Sequence, residues 1–155
     1  AATKKGFLDI LKFYQIENRN INFYNLFLHD IYGENDYRDK IIHTIVKNHK
    51  KNKKVTIQSK KLELNLLNVI DINQAISLML NKKINSGDYI IKSKNFTNIV
   101  KLIRQTNKKI SKKIGLKILN NKIEKKIKKN IKMLPYWKQK FNIEKDLLKY
   151  INENN

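Results

Sequence analysis

Residues 21–33, INFYNLFLHDIYG, constrain the fold more than any other stretch. Their apolar side chains fall on both alternating faces of an extended backbone, and the run stops at Gly33. A strand that is apolar on both faces has to be covered on both. That is the situation of a parallel strand between helices rather than of a half-exposed antiparallel one. Upstream, Phe7, Leu8, Leu11 and Tyr14 recur at helical spacing within residues 5–17. The pattern predicts a helix over residues 3–17 and a buried parallel strand over residues 22–28.

Downstream the chain keeps alternating. Ile41, Ile42, Ile45 and Val46 mark a second helix, which runs into a basic loop carrying Lys47, Lys50, Lys51, Lys53 and Lys54. Residues 55–59 (VTIQS) and 62–70 (LELNLLNVI) read as strands, and Asp71 stands where a helix N-cap belongs, ahead of Ala75, Ile76, Met79 and Leu80. Residues 86–93 (SGDYIIKS) read as a turn and a strand. Thr97 is placed to cap a helix bearing Ile99, Leu102 and Ile103. A short strand over 114–119 and a helix on Ile123, Ile127 and Ile131 follow. Pro135 breaks the pattern before a closing helix with Leu147, Leu148 and Ile151. Strands alternating with helices, without an internal repeat or a long linker, make an α/β protein.

The apolar fraction of 41% fits a folded chain, and no stretch reaches the roughly 20 apolar residues that span a bilayer. Cysteine is absent, which excludes disulfides and thiolate zinc sites. The chain is expected to be soluble and cytoplasmic, with no membrane segment and no membrane among its partners. His29, His43 and His49 have no partners at metal-ligand spacing, so no metal is expected. With four glycines, neither a P-loop nor a G-x-G-x-x-G loop can be built, and there is no G-x-S-x-G elbow.

The net charge of +21 points first to nucleic acid. Yet almost all the cations are Lys, with Arg only at 19, 38 and 104, and Lys, Asn and Ile make up about half of the chain. Arg is the residue that grips phosphate and guanine bidentately. A lysine excess of this kind follows from composition on every face, so nucleic acid is not the expected partner. A basic RNA- or DNA-binding module remains the rival reading, and affinity that falls steeply with salt is its signature. The polar cluster most suggestive of chemistry is HDIYGENDYRDK (29–40). It sets Asp30, Tyr32, Asp36, Arg38 and Lys40 just past the C-terminal end of the first strand, where open α/β sheets bind ligands. A charged surface loop is the plain alternative.

Four segments in order resemble the C-terminal half of the extended short-chain dehydrogenase/reductases, the NAD-dependent epimerase/dehydratase family acting on nucleotide sugars. NLFLHDIYGENDYRDKI is similar to that family's LFDTYGPxDxRxKL, and VTIQSKKLELNLLNVIDINQAI to SxGxQxRDFxYVDDVxxAI. GDYIIKSKNFTNIVKLI resembles YNIGSGxxxSIxELV, and LPYWKQKFNIEKDLLKYI resembles LGWxPKxSLEEGLxKTI. The opening AATK then falls on the end of the family's Tyr-x-x-x-Lys motif, with Lys4 on its lysine and the tyrosine before Ala1.

The resemblance implies a fold and a set of roles. The fold is the late part of a Rossmann-type parallel sheet with flanking helices, plus a small α/β substrate-binding lobe. Residues i and i+4 share a helix face, so the lysine lowers the tyrosine's pKa and holds the nicotinamide ribose while hydride passes to or from NAD or NADP. Lys4 is thereby the catalytic and cofactor-binding lysine. Asp30 lies next to cofactor and substrate, Tyr32, Arg38 and Lys40 sit on the substrate-facing loop, and Ser59 begins a strand flanking the nucleotide. The implied partners are a nucleotide sugar and a second copy of the chain.

Departures accompany the match. The family's Gly, Gln, Arg and Asp in the second motif are Lys60, Leu62, Leu64 and Asn65, and its IGSG turn carries Lys92 and Lys94. Because that Arg grips substrate phosphate, a degenerate, non-catalytic member is a second alternative. With no dinucleotide loop in it, the chain on its own is expected to be inactive.

Overall fold

The computed structural model describes residues 2–18, 20–34, 36–81, 84–121 and 131–153. Helix α1 (Ala2–Glu17) leads into strands β1 (Tyr24–Leu28) and β2 (Asp30–Tyr32), then α2 (Ile41–Lys50). Three short strands follow, β3 (Val55–Ile57), β4 (Glu63–Leu64) and β5 (Leu66–Asn68), before α3 (Val69–Asn81). The chain continues through β6 (Gly87–Ile91), β7 (Thr97–Asn98), α4 (Ile99–Asn107), β8 (Leu116–Ile118) and α5 (Ile143–Asn152).

The strands form pairs. β1 runs parallel to β6, β2 to β5 and β3 to β8, while β4 and β7 pair antiparallel. The β1–β6 register, Tyr24 opposite Gly87 through Leu28 opposite Ile91, bears out the parallel strand expected after the first helix. That strand is half-buried rather than covered on both faces. On its other side β6 meets residue 133, through Ile90 N–H to the Lys132 carbonyl (2.9 Å) and Leu134 N–H to the Ile90 carbonyl (3.3 Å).

Two apolar cores result, and the β2–β5 pair stands between them. Side chains alternate along a strand, so Tyr32 and Leu66 enter the larger core while Ile31 and Leu67 enter the smaller. The larger core gathers Ile42 and Ile45 of α2, Val55 and Ile57 of β3, Leu102 and Ile103 of α4, and Leu147 and Ile151 of α5. The smaller joins Ile72, Ala75 and Met79 of α3 to Tyr89 and Ile91 of β6 and to Leu134. Helix α1 enters neither: none of its residues is buried, and Phe7, Ile10, Phe13 and Ile16 are exposed.

Three expectations need correcting. The single strand over 62–70 is two, because the chain changes partner at Asn65, from β7 to β2. The cap of α3 is Asn68, whose Oδ1 accepts from the Ile70 N–H at 2.9 Å. Asp71 lies inside the first turn. Likewise Asn98, one residue after Thr97, caps α4 by accepting from the Lys101 N–H at 2.9 Å. In each case an amide oxygen at the true N-cap reaches the orphan N–H groups of the first turn. Of the helix expected on Ile123, Ile127 and Ile131, residues 122–130 lie outside the described residues, as does Arg19, and Ile131 is not helical.

Asp71 is fully buried, and its task is to tether the last segment. Its carboxylate accepts from the backbone N–H of Lys140 (2.9 Å) and Phe141 (3.2 Å), and its carbonyl accepts from Trp137 Nε1 (3.0 Å). Removing the carboxylate leaves two backbone donors without an acceptor, at a cost of about 1–3 kcal/mol each. Asp71→Ala is therefore expected to lower stability by about 2–4 kcal/mol in urea unfolding. Asp71→Asn, which keeps one acceptor oxygen, loses less.

Candidate functional site

The polar segment follows directly on the C-terminal end of the parallel strand β1, as the sequence suggests. A small cavity of about 170 Å³ opens there, and its walls include Asp30, Tyr32, Asp39, Lys40 and Leu64. Asp30, Tyr32 and Lys40 are thus brought together. Arg38, Ser59 and Lys4 are not among the lining residues. Gly33 turns the chain out of β2 under α3: a Cβ there would come within 2.7 Å of Val69 Cγ1, so the close approach demands glycine.

Each expected site residue has a definite setting. Lys4 is exposed in the first turn of α1. Asp30 is half-buried at the start of β2, and its N–H donates to the Asn65 carbonyl at 3.1 Å. Lys40 is exposed at the N-cap position of α2, where its side chain makes no cap bond. Ser59 is buried two residues past the end of β3, with Oγ accepting from the Lys61 N–H at 3.2 Å.

Arg38 faces solvent but already has a partner. Its Nε and Nη2 donate to the two carboxylate oxygens of Asp36 at 2.7 and 2.8 Å. These hydrogen bonds hold the Asp36 carboxyl below the usual carboxylate range and the guanidinium above its own. An anionic ligand can recruit Arg38 only by displacing or sharing that carboxylate.

Tyr32 corrects the expectation of a loop position. It lies in β2 and is 2% exposed, and its hydroxyl donates to Asp146 Oδ2 at 2.8 Å. Asn68 Nδ2 donates to the same oxygen at 2.9 Å and lies 3.5 Å from the Tyr150 hydroxyl. Burial pushes the Tyr32 hydroxyl far above the ordinary tyrosine range, and the Asp146 hydrogen bond adds to the shift. Tyr150 is raised too, first by burial and then by the negative charge of Asp146. Tyr32 therefore contributes a wall to the cavity, while its hydroxyl is committed to α5.

Leu64 and Asn65 make the departures from the family motif legible. Leu64 turns an apolar side chain to the cavity at the position of the family's Arg. Asn65, 1% exposed, clasps the loop after β6: its Oδ1 accepts from the Ser93 N–H (2.7 Å) and its Nδ2 donates to the Ser93 carbonyl (2.9 Å). An amide accepts and donates at once; an ionised carboxylate cannot serve the carbonyl. Nothing in the sequence signals this clasp, since its two ends are separated by 28 residues.

A larger cleft of about 540 Å³ also escapes sequence reasoning. It lies between the loop after β6, α4 and the start of α5, and is lined among others by Lys94, Phe96, Lys101 and Lys140. None of the expected site residues reaches it. Among the described residues no group of His, Asp and Glu is arranged to hold a metal ion.

No family model matches the chain. It is 25% identical, over 159 aligned positions, to the CDP-abequose synthase of Salmonella muenchen, covering 97% of this chain and 54% of that protein. Among solved structures, a single-residue mutant of the UDP-glucuronic acid 4-epimerase of Bacillus cereus superposes with a TM-score of 0.77 at 17% identity, over 99% of this chain and 52% of that one. The resemblance to the NAD-dependent epimerases and dehydratases holds. The chain also superposes on the dTDP-glucose 4,6-dehydratase of Bacillus anthracis, with a TM-score of 0.61, 21% identity and coverage of 83% and 43%. The chain thus spans about half the length of these epimerase/dehydratase relatives.

Two outcomes test the site's chemistry. The unfolded tyrosine titrates near pH 10 while folded Tyr32 holds its proton to higher pH, so its contribution is full below about 10 and drains away as pH climbs toward the raised value. Tyr32→Phe is expected to cost about 1 kcal/mol at neutral pH and to flatten the alkaline fall in urea-unfolding stability. Asn65→Asp sets a carboxylate against the Ser93 carbonyl and should cost about 2–3 kcal/mol at neutral pH. That carboxyl is favoured in its protonated, donating form. The gap to the parent should therefore narrow on acidification, and a constant gap would contradict the clasp.

Proposed function

We propose that this chain is the C-terminal, substrate-binding half of an NAD(P)-dependent nucleotide-sugar epimerase, dehydratase or reductase. It would act in the cytoplasm on surface-polysaccharide precursors and be inactive without its dinucleotide-binding half. The observation that carries the reading is the cavity of Asp30, Lys40 and Leu64 just past the parallel strand β1, in a chain matching half of several sugar-nucleotide enzymes along nearly its full length. UDP-glucuronic acid 4-epimerase has been crystallised with UDP-glucuronic acid and NAD, and a related Pseudomonas aeruginosa structure with NADPH. These supply the ligand classes proposed here.

The donor set suits a cofactor ribose. Lys4 offers an exposed ammonium in the first turn of α1, and Asp30 a half-buried carboxylate among the residues lining the cavity. Bound NAD(P) would supply the site that gives or takes hydride. Lys4 would hold the ribose and lower the pKa of the neighbouring catalytic tyrosine by its positive charge. Lys40, and Arg38 once released from Asp36, would face the diphosphate, with Ser59 beside the nucleotide. The uncovered apolar side chains of α1 support packing against the dinucleotide-binding half and against a second copy of the protein.

One observation favours a second reading. With Leu64 in the cavity wall and Arg38 paired to Asp36, no free guanidinium lines the described pocket, which suits a member that binds without turning over. Titrating the full-length protein with NAD, NADP and a panel of CDP-, UDP- and dTDP-sugars separates the two. The enzyme reading expects turnover of at least one sugar, and a loss of about a hundredfold or more in kcat/KM for Lys4→Ala. Cofactor binding with no turnover on any sugar selects the degenerate member, and absence of both cofactor and sugar-nucleotide binding rejects both.

A further inference from the structure

We propose that the end of the molecule formed by residues 50–54 and 108–113 is a docking surface for an anionic phospholipid bilayer. In sequence these are two lysine runs more than fifty residues apart, each explicable as a solvated loop. The fold puts them side by side. One run immediately precedes β3 and the other precedes β8, and those strands are parallel with Val55 opposite Leu116. Both runs therefore sit at the same N-terminal edge.

Three contacts hold them there. The Val55 N–H donates to the Gly115 carbonyl at 2.8 Å, and Lys54 packs so closely on Gly115 that a Cβ would meet its Cγ at 3.1 Å. Buried His49, in the last turn of α2, places Nε2 3.0 Å from the Lys112 carbonyl. Helices α2 and α4 end at this edge, and helix C-termini favour cations.

The first run presents Lys50, Lys51, Lys53 and Lys54, and the second Lys108, Lys109 and Lys112, all exposed, while Lys113 turns its ammonium back onto the Asn107 and Ile110 carbonyls. None makes an ion pair among the described residues. No acidic residue lies between Asp39 and Glu63, or from residue 89 to 123. The surface also lies away from the candidate substrate site, because Ser59 follows the opposite, C-terminal end of β3. Substrate binding does not account for it.

The chemistry selects the partner. Neither run contains Arg, Phe, Tyr or Trp. Base readout draws on Arg, and single-stranded nucleic acid on stacking platforms. Neither of the two clefts described above is lined by these lysines, so neither offers them a groove to track a strand. A dense field of ammonium groups is what the headgroup surface of an anionic leaflet attracts, each contributing additively and losing strength with salt. The contact is peripheral. No described helix is long and apolar enough to cross a membrane.

The test uses the full-length protein sedimented with phosphatidylcholine vesicles, with and without phosphatidylglycerol, at low and high salt. Binding is expected only to the anionic vesicles and should be abolished by high salt. The variant Lys51→Gln/Lys53→Gln/Lys109→Gln/Lys112→Gln should bind roughly a hundredfold more weakly or worse. A control with the same charge change on other faces, Lys92→Gln/Lys94→Gln/Lys138→Gln/Lys145→Gln, should stay within about threefold of the parent. Circular dichroism verifies folding, and Lys53→Gln/Lys109→Gln replaces the quadruple variant if that one unfolds. Equal losses in variant and control would reduce the effect to net charge and overturn the surface. So would no binding to anionic vesicles at low salt. Tighter binding to duplex RNA than to anionic vesicles at matched phosphate and salt would overturn the membrane assignment.

Discussion

The β2–β5 ladder holds the molecule together, because one pair of three-residue strands serves both cores. Ile31 and Leu67 face one way, Tyr32 and Leu66 the other. A shift of register by one residue would send each side chain into the wrong core. The pair is fastened at both ends by side-chain amides. Asn65 enters it from the Ser93 clasp, and Asn68 leaves it by capping α3 while donating to Asp146. Asp146 in turn takes the Tyr32 hydroxyl, so α5 is bonded to both strands of the ladder. The candidate cavity rests on this frame: Asp30 and Tyr32 come from one strand, Leu66 from the other.

Much of the fold is legible because its elements carry strong periodicities. The apolar run before Gly33, the isoleucines of α2 and the closing Leu147–Ile151 pattern each allow one placement. The caps are less legible, since Asn, Asp and Thr crowd near each helix start and several can serve. At α3 the geometry chooses Asn68 and frees Asp71 for the tether to Lys140 and Phe141. The split of residues 62–70 is invisible to periodicity because it depends on which strand lies alongside, a tertiary fact. Asn65 marks that break, yet an isolated Asn in a polar-rich chain gives no warning of it.

The candidate site divides in the same way. Its position past the first parallel strand follows from pattern alone, and the cavity formed by Asp30, Lys40 and Leu64 lies there. The partners of its polar groups do not follow from pattern. Arg38 is two residues from the carboxylate that engages it, and Tyr32 reaches 114 residues along the chain to Asp146. Pairs of this kind, whether local or far apart in the chain, turn a residue matched to a ligand-facing motif into a structural one. Only coordinates separate the two uses of the same side chain.

The amides at 65 and 68 have a consequence for how such a sequence can evolve. Codons for Asn and Lys differ by a single base, so a genome that enriches one supplies the other as its commonest neighbour. On the surface the exchange is nearly free, and the chain is full of both. Inside it is not: among the described residues the buried polar ones are His49, Ser59, Asn65, Asn68, Asp71 and Thr106, with no lysine among them. An ammonium at either amide position could donate but not accept, and its charge would have to be desolvated. Compositional drift is thus filtered by the interior, and the asparagines that persist there trace the hydrogen-bonded frame of the fold.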